Sequence, residues 1–499
     1  MYLRLRTKIP FVIIGIAVIL RFVHLTKKCF WCDEFLAISL SKIPSFSDMV
    51  GWIIKNDAHP PLFYSIIRGV FQFTQSEFGL RLIPFLFGAG AVFIFYLLLK
   101  ETEENHLLPL ALFSFSPAAI LWSQIVKSYS TLTFFSLLSL LMFLKYSKTG
   151  RSRNAILWVI SSLITLYLHN YGAIIILAEV MTLLLHKRKI PLKLFLLPSI
   201  VIFLLYLPYL AGPLFSQIAF VRSSPHSVVN PVFRLGYTFF YFIFGETLSP
   251  LNFKFVIPGI MLFLIFFLKG LFVKKNILTV FSIVVLITGI IIIFLIKSTI
   301  PQNLINLQPF FFIIVASGIN SVRKQWEKLS LSVFTFLFLI PPLYYYYRQD
   351  SLQYHDVSKL IPYKEICKTI KIEEREGEAI IITEGRERRF SEFFPPYNPW
   401  DWYYKGALPI IEVNPENVHN LQKKMREIYN SYKGFWIILN YGFSGYQWNE
   451  DIKDFFIKAK SVKIREMRMI KNYSFLDVLK GKSRKEYYFI EIYHFVKEL

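Results

Sequence analysis

From the N-terminus to about Tyr347, apolar residues fall in long runs separated by short polar stretches. The runs lie at 10–26, 80–99, 107–122, 129–146, 154–168, 171–186, 192–211, 253–272, 277–297, 304–322 and 329–347. Their lengths approach the roughly 20 residues that carry a helix across bilayer hydrocarbon, so the pattern predicts about eleven transmembrane helices. Beyond residue 347 charges are spread throughout and no run is long enough to span. There, apolar stretches at Ala379–Thr383, Phe435–Asn440 and Tyr487–Tyr493 alternate with charged, helix-like segments at Asn417–Lys433 and Glu450–Lys460. That alternation predicts a small α/β domain. The expected organisation is a polytopic α-helical membrane domain over 1–347 and a soluble domain over 348–499.

The polar stretches between runs set the expected orientation. Arg4, Arg6 and Lys8 precede the first run; Lys145, Lys148, Arg151 and Arg153 form one loop, and Lys187, Arg188, Lys189 and Lys193 another. Lys269, Lys274 and Lys275 form a third, and Arg323, Lys324 and Lys328 a fourth. All fall on one side if the runs alternate, and the positive-inside rule makes that side cytoplasmic. The loop with Glu101, Glu103 and Glu104 dissents, but acidic residues count little in this rule. With the N-terminus in the cytoplasm, the C-terminal domain is expected outside the plasma membrane. Loop 27–79, the turn Ser123–Ser128 and segment 212–252 are expected there too. Within the last, Tyr237–Phe244 is too short to cross and reads as a helix lying in the interface.

Composition agrees with a membrane protein: 54% of the 499 residues are hydrophobic and 18% aromatic, with a mean hydropathy of +0.46. The net charge of +23 would suit a nucleic-acid binder. Much of it, however, flanks hydrophobic runs, where Lys and Arg fix topology and meet anionic headgroups. No basic stripe is interleaved with stacking aromatics, so nucleic acid is excluded as a partner. The three cysteines, Cys29, Cys32 and Cys367, are too few for a disulfide framework. Cys29 and Cys32 are an incidental pair, a disulfide, or with His24 or His59 half of a divalent-metal site, without the full ligand spacing.

The candidate chemistry lies in the segments expected outside. Asp33 and Glu34 follow the first run directly, in a partly desolvated setting that should raise their proton affinity and suit a general base. The competing reading is a solvated loop pair, or an interfacial pair satisfied by backbone amides. In Asp57-Ala58-His59-Pro60-Pro61-Leu62-Phe63-Tyr64, the double proline opens an amphipathic helix ending near Gln72. His59 before it would bind phosphate, orient a carboxylate, or simply cap. Glu77 and Arg81 lead into the second run, where Arg81 either snorkels or pairs with Glu77 or a lipid phosphate. Gln124, Lys127 and Tyr129 form a cradle for a lipid phosphate, or an anchor at headgroup level. His169 and Tyr171, in the turn Tyr167-Leu168-His169-Asn170-Tyr171-Gly172, are expected to line the same cavity, since polar groups at a bundle mouth are costly elsewhere. Glu179 lies deeper, with no partner evident. No phosphate-binding loop of the G-x-x-x-x-G-K-[ST] type is present. A donor reachable from outside is therefore expected to be a lipid-linked phosphosugar.

In these residues, taken in order over about 10–210, the chain resembles the GT-C glycosyltransferases of the protein O-mannosyltransferase and aminoarabinose transferase type, a family-39-like group. The resemblance implies inverting transfer of a sugar from a polyprenyl-phosphate donor to an acceptor protein, lipid or glycan. It implies Asp33 as base with Glu34 in support, and Lys127, Tyr129 and His59 on the carrier phosphate. Two positions depart from the family pattern. Lys127 stands where many relatives have Arg, which removes bidentate phosphate binding. Gln302-Asn303 stands before Pro309 where relatives tend to have Arg-Tyr, so another cation must serve. A transporter or flippase of lipid-linked saccharides is the alternative reading; the internal repeats common in transporters are absent.

Overall fold

The computed structural model describes residues 2–102, 107–185, 192–223, 230–248, 250, 252–273, 276–348, 361–383, 399–415, 418–441, 446–459, 461–473 and 486–497. The chain divides into two compact units, Met1–Thr26 with Leu40–Arg348, and Lys27–Ser39 with Gln349–Leu499.

The first unit is helical. It begins with α1 (Tyr2–Phe22) and takes in the end of α2 (Cys32–Ser41), then α3 (Phe46–Asn56), α4 (Leu62–Phe73), α5 (Glu77–Glu101), α6 (Leu107–Ser114) and α7 (Pro117–Trp122). There follow α8 (Tyr129–Thr149), α9 (Ser152–Leu168), α10 (Ala173–Leu185), α11 (Leu192–Leu210), α12 (Pro213–Ser223) and α13 (Pro231–Phe244). Last come α14 (Phe253–Leu271), α15 (Ile277–Leu295), α16 (Gln308–Asn320), α17 (Gln325–Leu337) and α18 (Ile340–Arg348). Caps mark several boundaries. Ser45, Ser76 and Asn276 accept from backbone N–H groups in the first turns of α3, α5 and α15, satisfying donors that have no partner inside the helix. Gly150, at φ 62°, ends α8 in the left-handed region, which glycine adopts without a Cβ penalty.

Among the described residues, seven helical segments are long and apolar enough to cross a membrane: 77–101, 129–149, 192–210, 253–271, 277–295, 301–320 and 325–348. Large apolar side chains such as Phe11, Leu197, Ile257 and Leu295 stand exposed on this unit, as a lipid-facing surface requires. Three expectations need revision. The run 107–122 is two short helices, because Ser116 caps α7 and Pro117 has no N–H to continue α6. The runs 154–168 and 171–186 form helices of 17 and 13 residues. The aromatic segment Tyr237–Phe244, read as a short interfacial helix, is part of a longer one. It is the second half of α13, and Phe240 through Phe244 are buried in the bundle.

The second unit contains residues 27–39, read from the sequence as part of the helical domain's first loop. It adds α19 (Tyr363–Glu373), β1 (Glu378–Ile382), α20 (Pro399–Tyr403), β2 (Ile410–Glu412), α21 (Leu421–Ser431), β3 (Gly434–Asn440), α22 (Tyr446–Lys458), β4 (Ser461–Tyr473) and β5 (Glu486–Lys497). The strands make one sheet in the order β2-β1-β3-β5-β4. β1 is parallel to β2 and β3, with Ile380 opposite Ile410 and Trp436; β5 runs antiparallel to β3 and β4. All five residues of β1 and all seven of β3 are buried, because helices cover both faces of central strands of this kind. One core includes Cys29, Ile366, Cys367, Ile380, Trp400 and Trp436; the other includes Met425, Ile428, Phe435, Ile437 and Phe456.

Candidate active site

Within the first unit, polar side chains converge from the α3–α4 connection, the α7–α8 turn and the α9–α10 turn. Asp57 closes α3 and His59 precedes the proline pair that starts α4. One Asp57 oxygen accepts from the His59 backbone N–H and pairs with His59 Nδ1, both at 2.7 Å; the other accepts from Tyr64 Oη–H at 3.0 Å. Burial alone would raise the Asp57 carboxyl, but the charge and hydrogen bonds of His59, together with Lys127, bring it down to about 2. Asp57 is therefore a fixed anion that orients His59.

His169 terminates α9, and its Nδ1 accepts from the Tyr171 N–H at 3.1 Å. That bond leaves the proton of the neutral ring on Nε2. The His169 and His59 rings meet edge to face with centroids 4.9 Å apart, and the rings of Tyr129 and Tyr171 flank His169 at 5.9 and 5.3 Å. Burial, with the positive charge of His59 and Lys127, holds His169 well below the usual histidine value. The Asn303 side chain stands within interaction range of the ring, although Nε2 has no partner at strict hydrogen-bond geometry. The turn is tight: a Cβ on Gly172 would lie 2.4 Å from the Thr165 carbonyl oxygen, so only glycine lets the chain return this close to α9.

Lys127 is buried, with Nζ 5.9 Å from the centre of the Tyr64 ring. Tyr129 Oη donates to Asn303 Oδ1 at 3.1 Å, and Tyr171 Oη exchanges a hydrogen bond with Thr299 Oγ1 at 2.8 Å. Four of the predicted residues, His59, Lys127, Tyr129 and His169, thus share one cluster, with Tyr171 at its edge.

Several participants were not foreseen. Gln217 donates to the His59 carbonyl at 2.6 Å, and Asn170 donates to the Ala58 carbonyl at 2.9 Å. Tyr209 Oη donates to Asn170 Oδ1 at 3.0 Å. These three hold the 57–59 segment from α11, α12 and the α9–α10 turn. Arg234 of α13 is buried, donates to the Ile296 carbonyl at 2.6 Å, and carries an Nε with no partner. Its charge reaches Tyr171, which puts a second cation within electrostatic range of the cluster's edge.

Other predicted residues take no part in these contacts. Gln124 Nε2 donates to the carbonyls of Arg21 and Val23 at 2.9 and 2.8 Å, and its oxygen accepts from Tyr346. The amide is consumed in tying down the end of α1. Arg81 is 2% exposed and donates to the Leu25 carbonyl at 3.0 Å, so it is a buried tie and does not snorkel. Glu77 sits in the first turn of α5, half-buried. Glu179 is fully buried and does have partners: Ser139 Oγ donates to it at 2.7 Å and Trp158 Nε1 at 2.8 Å.

Asp33 and Glu34 occupy the first turn of α2 and belong to the second unit. Glu34 is 1% exposed and its Oε2 accepts from the Trp31 N–H at 2.9 Å, the backward half of a capping box. Asp33 keeps partial exposure. Cys29 accepts a contact from the Lys364 N–H at 3.4 Å and packs in the same core as Cys367; the side chain of Cys32 lies outside the described residues. Among the described residues no three His, Cys, Asp or Glu side chains converge as metal ligands.

Residues 42–168 match the family model for dolichyl-phosphate-mannose-protein mannosyltransferase. A comparison with curated proteins gives no match. The fold resembles that of ArnT from Cupriavidus metallidurans in the apo state, at a TM-score of 0.53, 11% identity and 97% coverage of both chains. It resembles equally the same protein bound to undecaprenyl phosphate, at a TM-score of 0.52, 10% identity and 97% coverage of both chains. The matched segment runs from just before α3 to the end of α9 and so contains His59, Lys127 and Tyr129.

Proposed function

From the premise that this multi-pass membrane chain has the fold of the GT-C glycosyltransferases, we propose that it transfers a sugar from a polyprenyl-phosphate carrier to an acceptor on the extracytoplasmic face. The observation that carries this reading is the convergence of three donors, buried Lys127 and His169 and half-buried His59, with the His169 Nε2 edge beside Asn303 but outside strict hydrogen-bond geometry. Two imidazoles and an ammonium that converge in this way suit a phosphate oxygen as their acceptor. That the ArnT relative binds undecaprenyl phosphate supports the same ligand class.

In the reaction, the acceptor oxygen or nitrogen forms a bond to the anomeric carbon from the face opposite the phosphate. The anomeric C–O bond breaks, and its electron pair leaves on the carrier phosphate. Lys127, His59 and His169 stabilise the charge that grows there, and Arg234 supplies further positive potential. The acceptor's proton must go to a base. Asp57 is unsuited, being held at about 2 by His59 and Lys127, and Glu34 is spent on capping α2. We assign the base to Asp33.

The test uses the full chain in nanodiscs with an undecaprenyl-phospho-hexose. Release of undecaprenyl phosphate that depends on added peptide or glycolipid acceptor is the expected result. Movement of the intact phosphosugar across vesicles without cleavage would replace this reading with the flippase alternative.

A further inference from the structure

Arg21, in the last turn of α1, is completely buried. Its Nη1 donates to the carbonyls of Ala17 and Ser114 at 3.1 and 2.9 Å. Nε and Nη2 have no partner, and among the described residues no carboxylate pairs with this guanidinium. Arginine stays protonated in proteins. A buried cation lacking a counter-charge and with N–H groups unmet is strongly unfavourable, so something should fill its empty hydrogen-bonding positions.

Space for it exists. Arg21 lines a small cavity of about 10 Å³ with Trp122, Ser123, Tyr129, Ser130 and Thr133, room for one water-sized or monatomic guest. Ser130 Oγ is buried and also unpartnered, and its hydroxyl is free to rotate and donate. Ser123 and Thr133 give their protons to the Ala119 and Tyr129 carbonyls at 2.6 and 2.9 Å and serve as wall. The unmet groups around the cavity are therefore one cation and donors.

We propose that this cavity binds a monovalent halide, chloride in the cell, held by Arg21 Nε and Nη2 and by Ser130 Oγ. A water would satisfy one or two donors and leave the charge uncompensated; a halide meets both needs. The site shares Tyr129 with the candidate active site. Tyr129 lines the cavity and donates to Asn303, so the anion fixes the back of that ring.

The experiment measures thermal unfolding of the purified full chain in nanodiscs, in sodium chloride or bromide against sodium gluconate at equal ionic strength. The melting temperature should rise saturably with halide, as expected for a ligand of the native state alone. Arg21→Met should abolish the halide dependence, and Ser130→Ala should weaken it by about tenfold, the loss of one hydrogen bond to an ion. Bromide should give an anomalous peak in the cavity. Identical melting in gluconate and halide, or a water in the cavity with no bromide signal, overturns the proposal. If Arg21→Met does not fold, Ser130→Ala and the bromide map still decide.

Discussion

His59 and His169 touch edge to face with centroids 4.9 Å apart, although a different backbone turn fixes each ring. Asp57 takes the Nδ1 side of His59, and the Tyr171 N–H takes Nδ1 of His169. Each ring is thus anchored by the same atom, which leaves the Nε2 edge for a ligand. An arrangement with one ring held by an anion and the other by an amide separates their roles: His59 is supported by a charge, and His169 is a neutral donor.

Asp57→Asn tests that support. The amide cannot match a carboxylate accepting from His59 and Tyr64 at once, and the native carboxylate sits near 2. A depressed carboxyl adds stability that is complete above the ordinary carboxylate range and is lost as pH falls towards 2. The variant should lose about 2 kcal/mol at neutral pH and show a flatter acid limb in that window. Melting curves from pH 2 to 7 check it.

His169 works at a higher pH. The unfolded chain takes up a proton there near pH 6.5, while the folded chain resists it because burial, His59 and Lys127 disfavour the cation. Stability linked to this ring is therefore full above 6.5 and declines on acidification below it. His169→Gln should remove that decline while weakening undecaprenyl phosphate binding by about tenfold. Melting temperature against pH, with a binding titration at pH 7.5, measures both.

Lys127 should carry more of the affinity. Lys127→Ala removes a charge-assisted bond of about 1.5–3 kcal/mol, so undecaprenyl phosphate affinity should fall by about ten- to a hundredfold. Lys127→Arg should retain binding, since a guanidinium meets phosphate oxygens in pairs. Native mass spectrometry of the two variants with undecaprenyl phosphate is the measurement. Equal affinity in wild type and Lys127→Ala would remove the phosphate role.

Asp33 and Glu34 should separate cleanly. Asp33→Asn is expected to cut turnover by about 10²–10⁴-fold, the range for a lost general base, with carrier binding unchanged. Glu34→Gln retains an acceptor for the Trp31 N–H and should cost about 1 kcal/mol or less of stability. Single-turnover kinetics beside melting curves distinguish a chemical role from a capping one.

Much of the architecture was legible because it is local. Runs such as 80–99 and 129–146 announce α5 and α8 by length alone, and the alternation at 379–383, 435–440 and 487–493 announces three strands. The break inside 107–122 was also written in Ser116-Pro117, a cap followed by an imino acid, but apolar content on both sides masked it. The site was legible where adjacent residues carry it, at Asp57-Ala58-His59-Pro60-Pro61 and His169-Asn170-Tyr171-Gly172. Gln217, Tyr209, Arg234 and Asn303 were not, since each is a lone polar residue whose partner lies far along the chain. Nor does composition say which way a polar side chain turns: Gln124 and Lys127 stand three residues apart, yet one staples α1 and the other joins the cluster.

The segment that carries Asp33 is built from both ends of the chain. Phe30 receives Tyr403 Oη at its backbone N–H, and Cys29 sits among Ile366, Cys367 and Trp400. During synthesis, then, residues 27–39 emerge early and wait for the last third of the polypeptide before they can reach their native packing. Removing the C-terminal domain would strip this loop of its floor, so a truncated chain is no neutral control for the acidic pair. A stop codon after Arg348 should abolish turnover even though Asp33 and every residue of the donor-binding cluster are still made.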